Sequence, residues 1–430
     1  MTDDYDVIVI GGGPAGENAA GRCAEGGLRV ALVERELVGG ECSYWACIPS
    51  KALLRPGEVV AAARRVAGAR EAVTGEVDAD AALARRTWMT GDWSDESQAR
   101  WVESVGADLV RGHGRLAGPK AVEVDGRRLT AAKAVVVATG SHAVIPPIPG
   151  LAAARPWDSR GATAAKQVPE RLLVIGGGAV GVEMAQAFRH LGAGAVTVVE
   201  PAPRLLAQEE PFVGEQLMAA FEAQGIAVIT GTGVASVERA GADGPLTVDL
   251  EDGQELVADE VLVATGRRPN TTELGVETVG LEPGGAISVD EHLRATGVDG
   301  EWLYAVGDVN GTALLTHMGK YQAKLAADHI LGRDVALGAP VPRVVFTDPQ
   351  VAAVGLTEAE AGQRDMDVAT VAVALESVAA AALHGEGVTG RCQLVVDATR
   401  DVLVGASFVG PGVAELVHAA TVAIVAEVPL

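Results

Sequence analysis

The sequence predicts an α/β chain with two related parallel-sheet domains and a smaller α+β domain towards its C-terminal end. Three observations predict it. An apolar run that ends in a glycine-rich turn occurs twice, as VIVIGGGPAG (7–16) and LLVIGGGAVG (172–181). Each copy later reaches a strand closing in Ala-Thr-Gly, AVVVATG (134–140) and EVLVATG (260–266). Beyond about residue 340 the segments RVVFTD, QLVVDA and VLVGASFVG read as strands of a third domain.

In the first copy the turn leads into the Ala-rich helical stretch NAAGRCAEGG, and the next strand, LRVALVE, ends at Glu34. In the second the helix runs through VEMAQAFRHLG and the strand AVTVVE ends at Glu200. The spacing from Gly11 to Glu34 nearly equals that from Gly176 to Glu200. Within each G-x-G-x-x-G, the first glycine (Gly11, Gly176) makes the tight strand-to-helix turn. The second (Gly13, Gly178) lets backbone amides approach a pyrophosphate, and the third (Gly16, Gly181) allows close helix–strand packing. The anion then rests on the positive end of the helix dipole, and the terminal acid accepts hydrogen bonds from a ribose diol. One such motif is a weak signal; two, each with strand, helix and distant acid in place, predict two Rossmann-like dinucleotide sites. The pair implies one tightly held and one exchanging cofactor. The first copy is the longer, and a close cysteine pair lies in its excess. Residues 58–110 read as helical, with Trp88, Trp93 and Trp101 as core or interface aromatics.

Composition narrows the class. There are 34 Lys+Arg against 57 Asp+Glu, a formal charge of −23, which argues against a nucleic-acid groove or an anionic membrane surface. Hydrophobic residues make up 48%, too many for a disordered chain. The start, MTDDYDVIVIGGG, is acidic where a signal peptide is basic. The stretch 134–154 lacks charged residues but contains Pro146, Pro147 and Pro149, which excludes a membrane helix. With 4 Cys, the chain is no extracellular disulfide scaffold. The expectation is a soluble, cytoplasmic protein without membrane insertion.

Cys42 and Cys47 stand in GGECSYWACIPSK (39–51). No metal site is expected, because Cys23 and Cys392 are isolated and no histidine cluster lies nearby. Two inert core cysteines are one reading. The other is a redox pair: Cys47 precedes IPSKALLRP, where Pro49 suits a first helical turn, and a thiol over free helix amides favours the thiolate.

Together, GGECSYWACIPSK and the two glycine turns resemble the flavoprotein disulfide reductases, the pyridine nucleotide–disulfide oxidoreductases that include lipoamide dehydrogenase, glutathione reductase and mercuric reductase. The likeness continues through GVE after the second turn, ATGRRPNT (264–271), LYAVGD (303–308), LTHMGKYQA (315–323) and VPRVVFTDPQVAAVGLTEAEA (341–361). It implies FAD on the first turn: Gly11, Gly12, Gly13, Pro14, Ala15 and Gly16, with Glu34 on the ribose and Arg35 beside it. Gly40, Glu41, Cys42, Lys51, Gly114, Ala138, Thr139, Gly140 and Gly307 are further FAD positions. Asp308 holds the ribityl chain, and Thr316 gives a backbone contact beside the ring. The resemblance assigns NAD to Gly176, Gly178, Ala179, Val180, Gly181, Glu183, Glu200, Val234 and Gly266. Cys47 matches the thiol that faces the flavin and Cys42 the one that attacks substrate, with Lys51 beside the flavin and Glu183 as its ion-pair partner. Glu200 and Gly181 favour NAD(H), because an acid at that strand end repels the extra phosphate of NADP(H); Arg204 nearby keeps NADP(H) as the second candidate.

The family implies an FAD domain of residues 1–150 and 285–335, an NAD(P) domain of 151–284, and an interface domain of 340–430 that forms a homodimer. Two departures stand out. Tyr44 and Trp45 lie between the cysteines, where better-known members carry small and aliphatic residues; they either cover the disulfide, wall a flat acceptor, or fill a domain contact. The chain also ends at AELVHAATVAIVAEVPL, before the family's His-Pro and Glu segment, and so reads as a truncated version whose interface domain is incomplete. The resulting expectation is electron transfer from NAD(P)H through FAD and the Cys42–Cys47 pair to a small-molecule or protein disulfide. A quinone or similar acceptor reduced directly from the flavin is the alternative. Mercuric reduction ranks lower, since the additional thiol pair it normally uses is missing.

Overall fold

Along VIVI the side chains alternate between two apolar environments, and the run forms the strand Asp4–Ile10 with Val7, Ile8 and Val9 wholly buried. Burial on both faces is what a central parallel strand requires. The computed structural model describes residues 3–338 and 340–430. The chain folds as two units, one of residues up to 48, 87–142 and 267–338, the other of 49–86, 143–266 and the C-terminal segment.

In the first unit Asp4–Ile10 pairs in parallel with Val30–Glu34 on one side and Arg127–Val137 on the other. Asp108–Arg111 extends the sheet beyond Val30–Glu34, and Leu303–Ala305 pairs in parallel with Arg127–Val137. An antiparallel meander, Gly114–Leu116 and Ala121–Val124, completes it. The helices Pro14–Glu25 and Thr316–Ile330 cover one face through Ala19, Ala20, Cys23, Ala323, Ala326 and Ala327. These thin side chains let two helices lie close together, and Arg22 locks them with a bidentate pair to Asp328 at 2.5 and 2.7 Å. Ile8, Ile10, Val33 and Val135 point to the other face, against Leu274, Val276, Ile287 and Trp302.

The second unit repeats the theme in a four-stranded parallel sheet ordered Ile226–Thr230, Ala195–Glu200, Arg171–Ile175, Glu260–Val263. A three-stranded antiparallel sheet, Val234–Arg239, Leu246–Leu250 and Glu255–Ala258, flanks it. The helix Ala179–His190 is buried from Gly181 to Phe188. Phe188 has no exposed surface and sits in a cluster with Leu53, Leu54, Phe221 and Val351; truncating such a side chain costs about 3–5 kcal/mol. The C-terminal segment forms a five-stranded antiparallel sheet ordered Arg343–Val345, Gln350–Gly355, Val402–Gly410, Arg391–Asp397, Val368–Ala374. The helix Val413–Val425 packs on it through Val413, Val417 and Ala420, and leaves Leu416, Val422 and Val425 exposed. Among the described residues no helix is long and apolar enough to cross a membrane.

Candidate active site

The two glycine turns are built alike. Gly11 and Gly176 hold φ of +102° and +111°, and a side chain on either would run into the carbonyl of Ala138 or Ala264. A side chain on Gly16 or Gly181 would strike the carbonyl of the first glycine of its own turn. Gly13 and Gly178 are different: a Cβ on Gly178 would meet nothing within 4 Å, and one on Gly13 only Gly40 Cα at 4.0 Å. The fold itself needs the first and third glycines, whereas the second leaves an open cradle at the start of a helix. That is the shape and polarity a pyrophosphate requires, so both turns fit a dinucleotide.

The terminal acids match as well. Glu34, buried at the end of its strand, accepts hydrogen bonds from the amides of Gly12 and Glu36, both at 2.6 Å. Glu200 accepts from Gly177 at 2.6 Å and Ala202 at 2.7 Å. Each carboxylate is thereby fixed beside its turn, with lone pairs left for a ribose diol. Arg35, next in sequence, is exposed and lies 3.9 Å from Glu273. Arg204 donates to the carbonyls of Ala207 and Glu209, at 2.9 and 3.4 Å.

GGECSY becomes the short helix Gly40–Tyr44, and Cys47 opens the long helix Cys47–Arg65. Gly40 takes a positive φ and packs on the Gly13–Pro14 turn, which leaves a side chain no room. Cys47 Sγ lies 3.2 Å from the Thr316 hydroxyl, at the start of Thr316–Ile330. The Cys42 thiol is pushed well up, first by its hydrogen bond to Cys47 and then by burial, while Thr316 and Lys320 pull it down. The other two thiols are remote in character: burial pushes Cys23 up to about 12 and raises Cys392. Tyr44 is buried, with its hydroxyl donating to the Val38 and Ser94 carbonyls at 3.1 and 3.3 Å, and Trp93 Nε1 donates to the Tyr44 carbonyl at 3.2 Å. Tyr44 is thus a packing residue. Trp45 stands edge-on to it, ring centroids 5.6 Å apart.

The Ala138-Thr139-Gly140 strand end meets the segment after the second Ala-Thr-Gly. The Thr139 hydroxyl donates to the Asn270 carbonyl at 2.9 Å, Asn270 Nδ2 to the Thr139 carbonyl at 2.8 Å, and the Asn270 amide to the Gly140 carbonyl at 2.9 Å. Ser141 donates to Asp308 Oδ2 at 2.5 Å and receives Arg267 Nε at 2.8 Å. Gly307 packs on Ala15 of the first turn, and Gly114 lies under Val33 and Ile10. Within the first unit the structure therefore gathers the first glycine turn, Glu34, Gly40, Glu41, both cysteines, Ala138 to Gly140, Gly307, Asp308 and Thr316.

Lys51, Glu183 and the residues expected to hold NAD belong to the second unit. Lys51 Nζ donates to Glu183 Oε2 at 2.7 Å and lies 4.9 Å from the centre of the Phe346 ring; Glu183 Oε1 accepts the Phe346 amide at 2.9 Å. Glu183 is buried, whereas the Lys51 side chain keeps 38% of its exposure. Ala179 and Val180 open the helix after the second turn, with Val180 exposed. Val234 begins the flanking sheet, and the carbonyl of Gly266 accepts the Val144 amide at 3.1 Å. Sequence reasoning missed Ser141 and Arg267, although each directly follows an Ala-Thr-Gly. It also missed Glu17, whose carboxyl burial raises to about 7, and Lys320, which opposes that rise.

Two dinucleotide cradles and an internally hydrogen-bonded thiol pair define a nucleotide-dependent oxidoreductase. Comparison with known proteins gives its family. The model for pyridine nucleotide-disulphide oxidoreductase matches residues 5–327, and that for the dimerisation domain of these enzymes matches 341–430. A mercuric reductase of Staphylococcus aureus is 35% identical over 98% of this chain and 77% of its own length. A dihydrolipoyl dehydrogenase of Thermus scotoductus is 37% identical over 98% and 91%. The HOCl-induced flavoprotein disulfide reductase RclA from Escherichia coli, solved as its Cu(II) complex, superposes with a TM-score of 0.87 at 26% identity, over 100% of this chain and 94% of its own. The chain belongs to the pyridine nucleotide-disulphide oxidoreductase family, and so to enzymes that depend on FAD and a pyridine nucleotide.

Proposed function

We propose that this enzyme is a homodimer that uses NADH to reduce a disulfide acceptor, with Cys42 as the attacking thiol and Cys47 as its partner. The observation that carries the reading is the thiol pair itself: Cys42 is hydrogen-bonded to Cys47, and Cys47 Sγ stands 3.2 Å from the Thr316 hydroxyl. FAD, held by the first turn, Glu34 and Asp308, would supply the two-electron link between nicotinamide and thiols. Lys51 is oriented by Glu183 in this scheme, so that its ammonium keeps one direction.

In the reduced pair, Cys42 Sγ attacks one sulfur of the acceptor disulfide. A Cys42–acceptor bond forms, the acceptor S–S bond breaks and a first thiolate leaves. Cys47 Sγ then attacks Cys42 Sγ, which closes the Cys42–Cys47 disulfide and expels the second thiolate. The pair gives up two electrons and two protons, and the acceptor takes them up as two thiols. Because exchange rate follows thiolate fraction, Lys320 and Thr316, which favour the Cys42 thiolate, assist the first attack.

Preference for NADH rests on Glu200, a fixed anion at the ribose end of the second turn, and on Arg204, whose guanidinium is engaged by two loop carbonyls. The homodimer rests on the dimerisation-domain match and on the apolar residues Leu416, Val422 and Val425 of the last helix. Mercuric reductases among the relatives favour a second acceptor, a soft metal ion, for which thiolates are apt ligands.

The test is anaerobic treatment of the FAD-loaded enzyme with NADH, followed by alkylation and mass spectrometry. NADH should make Cys42 and Cys47 newly alkylatable. Cys42→Ser should then abolish reduction of lipoamide and glutathione disulfide. Undiminished acceptor reduction by Cys42→Ser would overturn disulfide exchange and leave direct reduction of a quinone or metal ion.

A further inference from the structure

Arg267 and Ser141 occupy equivalent places in the two halves of the duplication, each immediately after an Ala-Thr-Gly, and they meet each other. Arg267 Nε donates to the Ser141 hydroxyl at 2.8 Å, and its Nη2 donates to the Ser141 carbonyl at 2.7 Å. The same Nη2 lies 3.5 Å from Glu41 Oε2, with side-chain exposures of 20% and 26% for the two partners. Ser141 passes the link on by donating to Asp308 at 2.5 Å. One planar guanidinium thus joins the helix Gly40–Tyr44 to the end of the first Ala-Thr-Gly strand directly, and to the turn Gly307–Asn310 through Ser141. Lysine has the charge but not the fork, so it could hold one of these partners and not all of them.

We propose that Arg267 is a positioning residue that registers the Cys42-bearing helix against Ser141 and Asp308 and cancels the charge of Glu41 beside the attacking thiol. It rests on the assignment of Cys42 made above. The physical need is plain from the sequence of that helix. Glu41 is the immediate neighbour of Cys42, and an uncompensated carboxylate next to a thiol opposes its ionisation. Asp308 is a second carboxylate in the same chain of contacts, held through Ser141. Arg267 is the cation between the two, and it is mostly shielded from water, where such pairs keep more of their strength.

The test compares Arg267→Met, Arg267→Lys, Glu41→Gln and the double variant Arg267→Met/Glu41→Gln. Each is loaded with FAD and reduced with dithiothreitol. The readout is the rate of Cys42 labelling by iodoacetamide across pH, resolved by mass spectrometry. A second readout is the dissociation constant for FAD after deflavination. Arg267→Met should move the labelling profile to higher pH and slow labelling at neutral pH by roughly threefold to tenfold, the effect of half to one pKa unit. Adding Glu41→Gln should restore most of the rate. Arg267→Lys should keep the labelling profile but weaken FAD binding, because charge survives and the fork does not. Glu41→Gln alone, which leaves the Arg267–Ser141 contacts in place, should speed labelling, and this arm decides the matter if Arg267→Met does not fold. Superimposable labelling profiles for Glu41→Gln and wild type would overturn the proposal, as would a double variant that labels as slowly as Arg267→Met. These readouts do not involve an acceptor, so they stay separate from Cys42→Ser, which tests the exchange reaction.

Discussion

Glu17 offers the sharpest physical test of the first unit. It stands in the first turn of Pro14–Glu25, where an acid is ordinarily favourable. Burial nevertheless raises its carboxyl from 4.5 to about 7; Lys320 opposes the rise and Glu34 adds to it. In the unfolded chain the group titrates near its ordinary value, so between pH 4.5 and about 7 the native state binds the proton that the unfolded state has lost. Stability therefore falls as pH rises through this window, and above the native pKa the loss is complete. At 1.36 kcal/mol per unit, a rise from 4.5 to about 7 is worth about 3 kcal/mol. Glu17→Gln replaces the carboxyl by a neutral group of the same shape and removes that penalty. Near pH 5 the variant should melt within a degree or so of the wild type. At pH 8 it should melt several degrees higher, the shift expected of about 3 kcal/mol in a domain of this size. Thermal unfolding followed by tryptophan fluorescence, with FAD saturating and both proteins at both pH values, decides it. A melting difference that does not change with pH would refute the reasoning, as would a variant less stable than wild type at pH 8.

Two further outcomes follow from the second unit. Lys51→Met strands the buried Glu183 with only the Phe346 amide and should cost about 1–3 kcal/mol, whereas Glu183→Gln frees a half-exposed lysine to water and should cost about 1 kcal/mol or less. The order of melting temperatures checks this, and the reverse order refutes it. Gly181→Ala should lower the melting temperature sharply, because the new methyl meets the Gly176 carbonyl. Gly178→Ala should leave melting unchanged and weaken NADH binding, measured by fluorescence titration.

What the sequence made legible was local in its physics. A glycine that needs positive φ, a strand run buried on both faces and an acid one strand–helix–strand away are all constraints written within short stretches, and both copies of the duplication obey them. Tertiary properties were hidden for a physical reason. Arg267 and Ser141 lie 126 residues apart, and nothing near either announces the other. Glu17 reads as an ordinary first-turn acid until neighbouring elements bury it. Tyr44 reads equally as a wall for an acceptor or as filler, and only its buried hydroxyl, bonded to two carbonyls, separates the two. Trp88, read as a core or interface aromatic, is 74% exposed and so is not a core residue of this chain.

The two copies of the duplication, alike in the contacts of their first and third glycines, differ in what surrounds their turns. Beside the first, Gly40 packs on the Gly13–Pro14 turn and Glu34 is buried; beside the second, a Cβ on Gly178 would meet nothing within 4 Å among the described residues, and Glu200 is partly covered. The segment that brings the cysteines is thus also a packing partner of the first turn: a side chain at Gly40 would press on the Gly13 backbone and disturb the turn and the short helix Gly40–Tyr44 together, whereas the second turn has no counterpart of that segment among the described residues.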